Sequence, residues 1–405
     1  MNKKSPKIRF KGFTDDWEQR KLGELASFSK GAGYTKGDLK TTGGKPIILY
    51  GRLYTKYETV IENVDTFVDE KEKSVISAGN EIIVPASGET SEDISRASVV
   101  AKPGIILGGD LNIVKPNTEI DPSFLALTIS NGRQQKELSK KAQGKSVVHL
   151  HNSDLKEVTL VYPKKEEQTR IGNFFKNLDN TIALHQRKLT LLEQLKQTCL
   201  QVMFPQGQDS IPILRFAGHS EPWEQHKLGE ISESYSGGTP SVAIQSYYGG
   251  SIPFIRSAEI NSKNTELYLT EEGLNNSSAK LVDVGDILYA LYGATSGEVG
   301  ISQINGAINQ AILAIKPKIE YDSNFIMQWL RRQKMSIIST YLQGGQGNLS
   351  GSIVKDLALY APTKQEEQTK IGSFFKQLDD TIALHQEKIA HLKVLKSTLL
   401  NKMFI

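Results

Sequence analysis

Between residues 166 and 203 the apolar positions fall at Ile171, Phe175, Leu178, Ile182, Leu189 and Leu192, with His185 in the one gap. The steps alternate four and three, which is the seven-residue repeat of a coiled-coil seam. The same register returns 200 residues later at Ile371, Phe375, Leu378, Ile382, His385, Ile389 and Leu392. Each stretch predicts one long helix; the first, 38 residues, would span about 57 Å at 1.5 Å per residue. Between the helices the pattern changes to short runs rich in β-branched and aromatic residues beside Gly and Pro, the signal of strands and turns. In the first half these are "KPIILYGRLY" (45–54), "NEIIVPAS" (80–87) and "LNIVKP" (111–116). In the second half they are "GSIPFIRSAEI" (250–260), "GDILYALYG" (285–293) and "QAILAIKP" (310–317), in the same order. One helical stretch follows each set, over 122–142 and 323–342.

The two seams belong to a duplication. "EEQTRIGNFFKNLDNTIALHQRK" (166–188) and "EEQTKIGSFFKQLDDTIALHQEK" (366–388) agree at 18 of 23 positions. A lead-in stretch is repeated as well: "RFKGFTDDWEQRKLGE" (9–24) and "RFAGHSEPWEQHKLGE" (215–230) agree at ten of 16. A period near 200 residues is too long for a solenoid and reads as a duplicated domain with its helix. The expected organisation is α+β: a globule over 1–165, a helix over 166–204, a second globule over 205–365 and a second helix over 366–405. "FPQGQDSIPI" (204–213) breaks the first helix and links the halves. Neither seam can be buried on its own small globule, so the expected partner of each helix is the other. An internal pseudo-two-fold axis would make that pair antiparallel.

Composition narrows the chemistry. At 405 residues with 38% hydrophobic and 23% charged positions, the chain suits two to four globular domains. No apolar run approaches the ~20 residues that span a bilayer, and "MNKKSPKIRF" has no apolar stretch of a secretory signal. The expectation is a cytoplasmic protein with no membrane partner. The lone Cys199 excludes an internal disulfide or a cysteine-rich zinc site, and its place on the apolar face reads as core. Net charge +4 permits a nucleic-acid partner without demanding one. "SKKAQGKS" (139–146) has Ser where a phosphate-binding loop needs its first Gly, and it follows a helix instead of a strand. "VDEKEK" (68–73) reads as a solvated charge run. His185 and His385, with no carboxylate on that face, make a poor metal set; they read as buried polar residues that fix helix register. Trp17 and Trp223, in the duplicated lead-in, read as helix-docking anchors.

The chain resembles the specificity (S) subunit of type I restriction-modification systems over essentially its whole length. The residues that carry the resemblance are the "EEQTRIGNFF" and "EEQTKIGSFF" helix starts after Pro163 and Pro362, and the "WEQRKLGELA" and "WEQHKLGEIS" lead-ins. "SGGTPS", "YYGGSIPFIRSAEI", "YGATSGEVGIS" and "NQAILAI" in the second half, and "KGAGYTKGDL", "ILYGRLYTKYE" and "ASGETSEDIS" in the first, look like target-recognition-domain patterns. The resemblance implies two target recognition domains, each reading one half of a split, asymmetric site in double-stranded DNA, held apart by the two helices. It implies a subunit that makes no bond itself and binds no cofactor. Two modification (methyltransferase) subunits using S-adenosylmethionine would dock on the helices and lead-ins, joined by restriction subunits that use ATP and Mg to cut DNA. No Asn-Pro-Pro-aromatic or Asp-Pro-Pro-aromatic tetrapeptide occurs, which disfavours a stand-alone amino-methylating enzyme. The residues leave open a scaffold whose helices oligomerise proteins and whose globules bind peptides.

Base edges are read by Arg, Asn, Gln, Ser or Thr, and phosphates by Lys, Arg and backbone amides. The expected DNA-facing residues of the first domain are Lys30, Tyr34, Lys36, Arg52, Tyr54, Lys56, Ser87, Thr90 and Lys145. In the second domain they are Thr239, Ser241, Tyr247, Arg256, Ser257, Tyr292, Thr295, Ser296, Gln346 and Asn348.

Overall fold

The run Ile82-Ile83-Val84 has no polar alternate, and all three residues are fully buried. A strand of that kind must be covered on both faces. In a computed structural model, which describes residues 5–91, 93–142, 144, 147–207, 209–342 and 348–404, Glu81–Pro85 is the middle of a five-stranded sheet. The order is Ala26–Lys30, Leu111–Pro116, Glu81–Pro85, Ser98–Val100, Val60–Ile61. Every pair is antiparallel except the last, which is parallel. Successive strand residues face opposite sides. Ile82, Val84, Val99 and Val114 therefore enter one core with Phe124 and Leu125, while Ile83, Val100 and Ile113 enter another with Ile48 and Leu53.

The second half repeats this logic with different side chains. Ser232–Ser236, Ile312–Pro317, Ile287–Ala290 and Val299–Ile301 form an antiparallel sheet in that order. Ile287, Tyr289, Leu313 and Ile315 face a core containing Phe325 and Trp329; Leu288, Ala290, Ile312 and Ala314 face Ile255 and Ile308. A further sheet runs Leu267–Leu269, Tyr248–Ile255, Gly306–Ile308, Lys280–Val282.

Two expected elements differ. "KPIILYGRLY" is strand only over Lys45–Ile48 and turns into a short helix at Arg52–Thr55. The expected helix over 122–142 is two, Pro122–Ser130 and Gly132–Lys141. Asn131 is extended and Gly132 has φ 71°, a backbone that cannot continue a right-handed helix. Its counterpart, Ser323–Tyr341, is unbroken. Both helices start on an aspartate cap: Asp121 accepts from the Ser123 and Phe124 amides, and Asp322 from the Phe325 amide.

Each lead-in is stitched to the strand before a long helix, Glu18–Lys21 to Thr159–Tyr162 and Glu224–Lys227 to Ala358–Ala361, both antiparallel. Trp17 is buried edge-on against Phe124 at 5.8 Å, and Trp223 against Phe325 at 5.5 Å. The long helices run over Lys165–Val202 and Gln365–Met403. The repeated helix starts are held by the same two devices. Glu167 forks the Arg9 guanidinium (2.9 and 2.7 Å), as Glu367 forks Arg215 (2.8 and 2.7 Å). Gln168 accepts from the Asp121 amide and donates to the Pro163 carbonyl; Gln368 does the same with Asp322 and Pro362. The duplicated "RF" and "EEQ" are thus the two sides of one joint.

The chain divides into two compact units, Met1–Gln186 with Glu387–Ile405, and Arg187–Gln386. The division runs through both long helices instead of falling at their starts. In the first unit Ile171, Phe175 and Leu178, with half-buried Ile182, share a core with Leu392, Leu399, Leu400, Met403 and Phe404. Phe175 lies 6.1 Å from Phe404, and Asp179 accepts from Lys396, so the two helical segments run antiparallel. In the second unit Ile371, Phe375 and Leu378 share a core with Leu192, Cys199, Leu200, Met203 and Phe204; Phe375 lies 6.1 Å from Phe204, and Asp379 accepts from Lys196. Lys196 and Lys396 stand one step of four beyond Leu192 and Leu392, so the seam carries a lysine whose aspartate partner fixes the register. Leu189, Ile389 and His385 are buried; Ile382 and His185 are half-buried.

Candidate nucleic-acid interface

In the first unit, a turn at Gly33–Lys36 and the short helix Arg52–Thr55 form the walls of an open cleft of about 1060 Å³. It brings together Tyr34, Lys36, Arg52 and Lys56 of the expected residues, with Tyr50, Leu39 and Leu49. Tyr34 is buried, its hydroxyl bonded to Ser74 and to the Asp69 carbonyl, and the Lys71 ammonium sits 4.4 Å above its ring. Arg52 is engaged by acidic neighbours. Its side chain is 8% exposed and donates to Asp65 (2.7 Å), Glu58 (2.8 Å) and the Asn63 carbonyl (3.0 Å). Lys56 and Arg52 hold the Asp65 carboxyl down at about 2. The exposed cations Lys30 and Lys36, by contrast, have no carboxylate within ion-pair distance among the described residues.

A second patch adjoins the cleft. Tyr50 packs edge-on against Tyr54 at 6.3 Å, and the Tyr54 hydroxyl donates to the Ser87 carbonyl at 2.8 Å. Burial raises the Tyr54 phenol, so it stays a neutral donor. Ser87 pairs with His149, which stacks on His151 at 6.4 Å. Thr90 is committed to local structure, capping Asp93–Ser95 by accepting from the Asp93 amide. Lys145 lies outside the described residues. Tyr50 and His149 were not among the expected contacts; an aromatic next to Gly51 and the alternation "VHLH" are the signals that point to them.

In the second unit the corresponding loop, "YGATSG" (292–297), carries Tyr292, Thr295 and Ser296, all half-buried. Tyr292 bridges Asn348 as Ser87 pairs with His149, so these loop tips are brought to equivalent places in the two units. Ser296 donates to the Gly293 carbonyl, inside a turn whose Gly293 and Gly297 have φ 84° and 76°. Thr239 donates to Gln310 (2.6 Å), Ser241 is exposed, and Tyr247 and Ser257 are half-buried. Gln346 lies outside the described residues.

Arg256 is held by two carboxylates. It donates to Glu259 (2.8 Å) and Glu266 (2.6 Å). Burial alone would raise the Glu259 carboxyl, yet Arg256 and main-chain amides bring it down to about 2. A folded-state value below the unfolded 4.5 contributes stability that is present above pH 4.5 and lost as pH falls toward 2. Arg256→Ala is therefore expected to destabilise the second unit at pH 7 and to flatten its stability between pH 4.5 and 2. Urea melts across that range check it; wild-type stability with loss of base discrimination alone would return Arg256 to the reading surface.

Among the described residues no group of three or more His, Cys, Asp or Glu is placed to hold a metal ion, and no helix is long and apolar enough to cross a membrane. A family model, the type I restriction modification DNA specificity domain, matches residues 14–194 and again 220–394. Each match takes in most of one lead-in, one globule and most of one long helix. A putative type I restriction enzyme MjaX specificity subunit of Methanocaldococcus jannaschii is 26% identical over 96% of this chain and 92% of its own. The type I restriction enzyme HindI specificity subunit of Haemophilus influenzae is 26% identical over 38% of this chain and 36% of its own. The crystal structure of a type I restriction-modification S subunit from M. genitalium covers 99% of both chains with a TM-score of 0.69. At 16% identity that likeness bears on the fold.

Proposed function

The chain belongs to the family of type I restriction-modification DNA specificity subunits, and from that premise we propose a division of labour among its parts. DNA sequence is recognised by the two target recognition domains. Each reads one half of a bipartite, asymmetric site. The long helices set the distance between the halves and carry two modification (methyltransferase) subunits, which restriction subunits join. S-adenosylmethionine, ATP and Mg belong to those partners, and this chain positions them without making a bond itself.

The observation that carries this reading is the contrast between joint and loops. The Arg–Glu fork and the Gln anchor are the same in both copies, whereas the cleft at Tyr34–Lys56 and the turn at Thr239–Tyr247 share almost no side chains. A frame kept constant around two different surfaces suits one scaffold holding two different readers. Replacing residues 34–143 by the corresponding domain of another family member is expected to change one half-site and leave the other, read as methylated adenines mapped across a genome. A change in both halves would count against independent readers.

Partner docking rests on a second contrast. Ala183, Leu184 and Lys188 are exposed and identical to Ala383, Leu384 and Lys388. The seam does not explain that identity. Leu184 and Leu384 are 67% and 62% exposed, an apolar surface that a partner would cover. Two like surfaces suit two copies of one partner. Leu184→Glu or Leu384→Glu is expected to leave one modification subunit bound, and the double variant none, with the melting of the chain itself unchanged. Native mass spectrometry counts the subunits; two bound to the double variant would place docking elsewhere.

A further inference from the structure

In the second unit, the turn after the first long helix, the lead-in strand and the helix Ser323–Tyr341 border an open cleft of about 420 Å³. Gln201, Gln225 and Gln333 line it, with Trp329 and Tyr360 as aromatic walls and Arg332 as the one charged lining residue among the described residues. The adjacent Arg331 is fully engaged with Asp379, the Val299 carbonyl and Asn261. Arg332 is half-buried and has neither a hydrogen bond nor an ion pair among the described residues. Burial lowers its pKa. A guanidinium taken partly out of water without a counter-charge costs free energy that an anion would offset. Its planar fork matches two oxygens of a carboxylate or phosphate, and the glutamine amides can donate to the rest.

We propose that this cleft is an anion site, in which Arg332 takes a carboxylate or phosphate group between the glutamine amides and the Trp329 and Tyr360 rings. The first unit has no counterpart to it among the described residues. Asp121 and Asp322 cap equivalent helices, so Arg332 and Trp329 correspond by position to Asn131 and Thr128 in the first unit. Asn131 has its amide on the Leu127 carbonyl, and Val161 stands across from Gln19 where Tyr360 stands across from Gln225. The duplicated frame is kept there and the anion chemistry is not. The site is built on the lead-in strand, the end of the first long helix and the middle of the helix Ser323–Tyr341. A free anion and an acidic side chain of a docked partner present the same chemistry, and the second source rests on the function proposed above.

The test is a thermal melt of the full chain in anion-poor buffer, titrated separately with malonate and inorganic phosphate, beside Arg332→Gln and Arg332→Lys. Expected are a rising midpoint in the wild type, binding at least tenfold weaker in R332Q, and partial retention in R332K. R332Q without added anion is expected to melt no lower than the wild type, because it removes an unpaired charge. A second arm measures assembly with the modification subunit. A silent wild-type titration with assembly weakened tenfold in R332Q assigns the anion to a partner side chain. An anion response unchanged in R332Q, a silent titration with unchanged assembly, or R332Q melting well below the wild type overturns the site. Half-site methylation mapping reads the reader function separately from all of these outcomes.

Discussion

Glu167→Ala is expected to destabilise the first unit by about 3–5 kcal/mol, the cost of leaving one member of a buried ion pair without its partner. Glu167 is 1% exposed and its partner Arg9 13%, joined by a two-pronged hydrogen bond. With the carboxylate gone, the guanidinium keeps only the Asp15 carbonyl at 2.7 Å. Glu367→Ala should do the same to the second unit, where Arg215 and Glu367 are as deeply buried. Hydrogen exchange read by mass spectrometry separates the two, since protection should fall in one unit and persist in the other. Replacing both partners by apolar residues, Arg9→Met with Glu167→Leu, should recover most of the loss, because a well-packed apolar pair replaces a buried ion pair at little cost. A loss under about 1 kcal/mol, within the range of exposed pairs, would mean the fork is open to water and the joint is held by Trp17 and Gln168 instead. In the assembled complex, the same variant should blur the first half-site and leave the second intact.

That joint also shows how far the sequence was legible. Periodicity alone marked the helices, because a seam at alternating steps of four and three has no other economical use, and duplication marked the frame. Arg9 and Glu167 both lay inside the duplicated stretches, yet nothing in either local pattern pairs residues 158 apart. The lysine in the seam was passed over for a similar reason: Lys196 and Lys396 interrupt an apolar stripe, and only the opposing aspartates explain them. The reading surface was the least legible part. A loop arginine looks alike whether it faces a groove or a carboxylate, and Arg52 and Arg256 prove to be held by Asp65, Glu58, Glu259 and Glu266. Tyr50 lines the cleft and His149 pairs with Ser87 beside it, contacts between segments far apart in the sequence.

The spacing of the recognised site tests the helices themselves. Asp179 opposite Lys396 fixes the helix register within the first unit, and Asp379 opposite Lys196 within the second. The chain's two units divide between these pairs, at Gln186–Arg187 and Gln386–Glu387. Seven residues carrying the seam pattern, inserted after Gln186 and after Gln386, therefore leave the packing inside each unit untouched. They add about 10 Å of helix at 1.5 Å per residue and keep the apolar seam in line. In length that equals about three base pairs at ~3.4 Å each. In phase it does not, because each base pair turns the groove by about 34° at ~10.5 base pairs per turn while the lengthened rod turns little. The two demands oppose each other, so the spacer between half-sites is expected to grow by about one to three base pairs, with both half-sites unchanged. Inserting two residues instead turns the seam by about 200° at 3.6 residues per turn and should abolish methylation altogether. Methylated-adenine mapping reads both variants. An unchanged spacer in the seven-residue variant would leave the helices as a docking surface and remove them as the ruler.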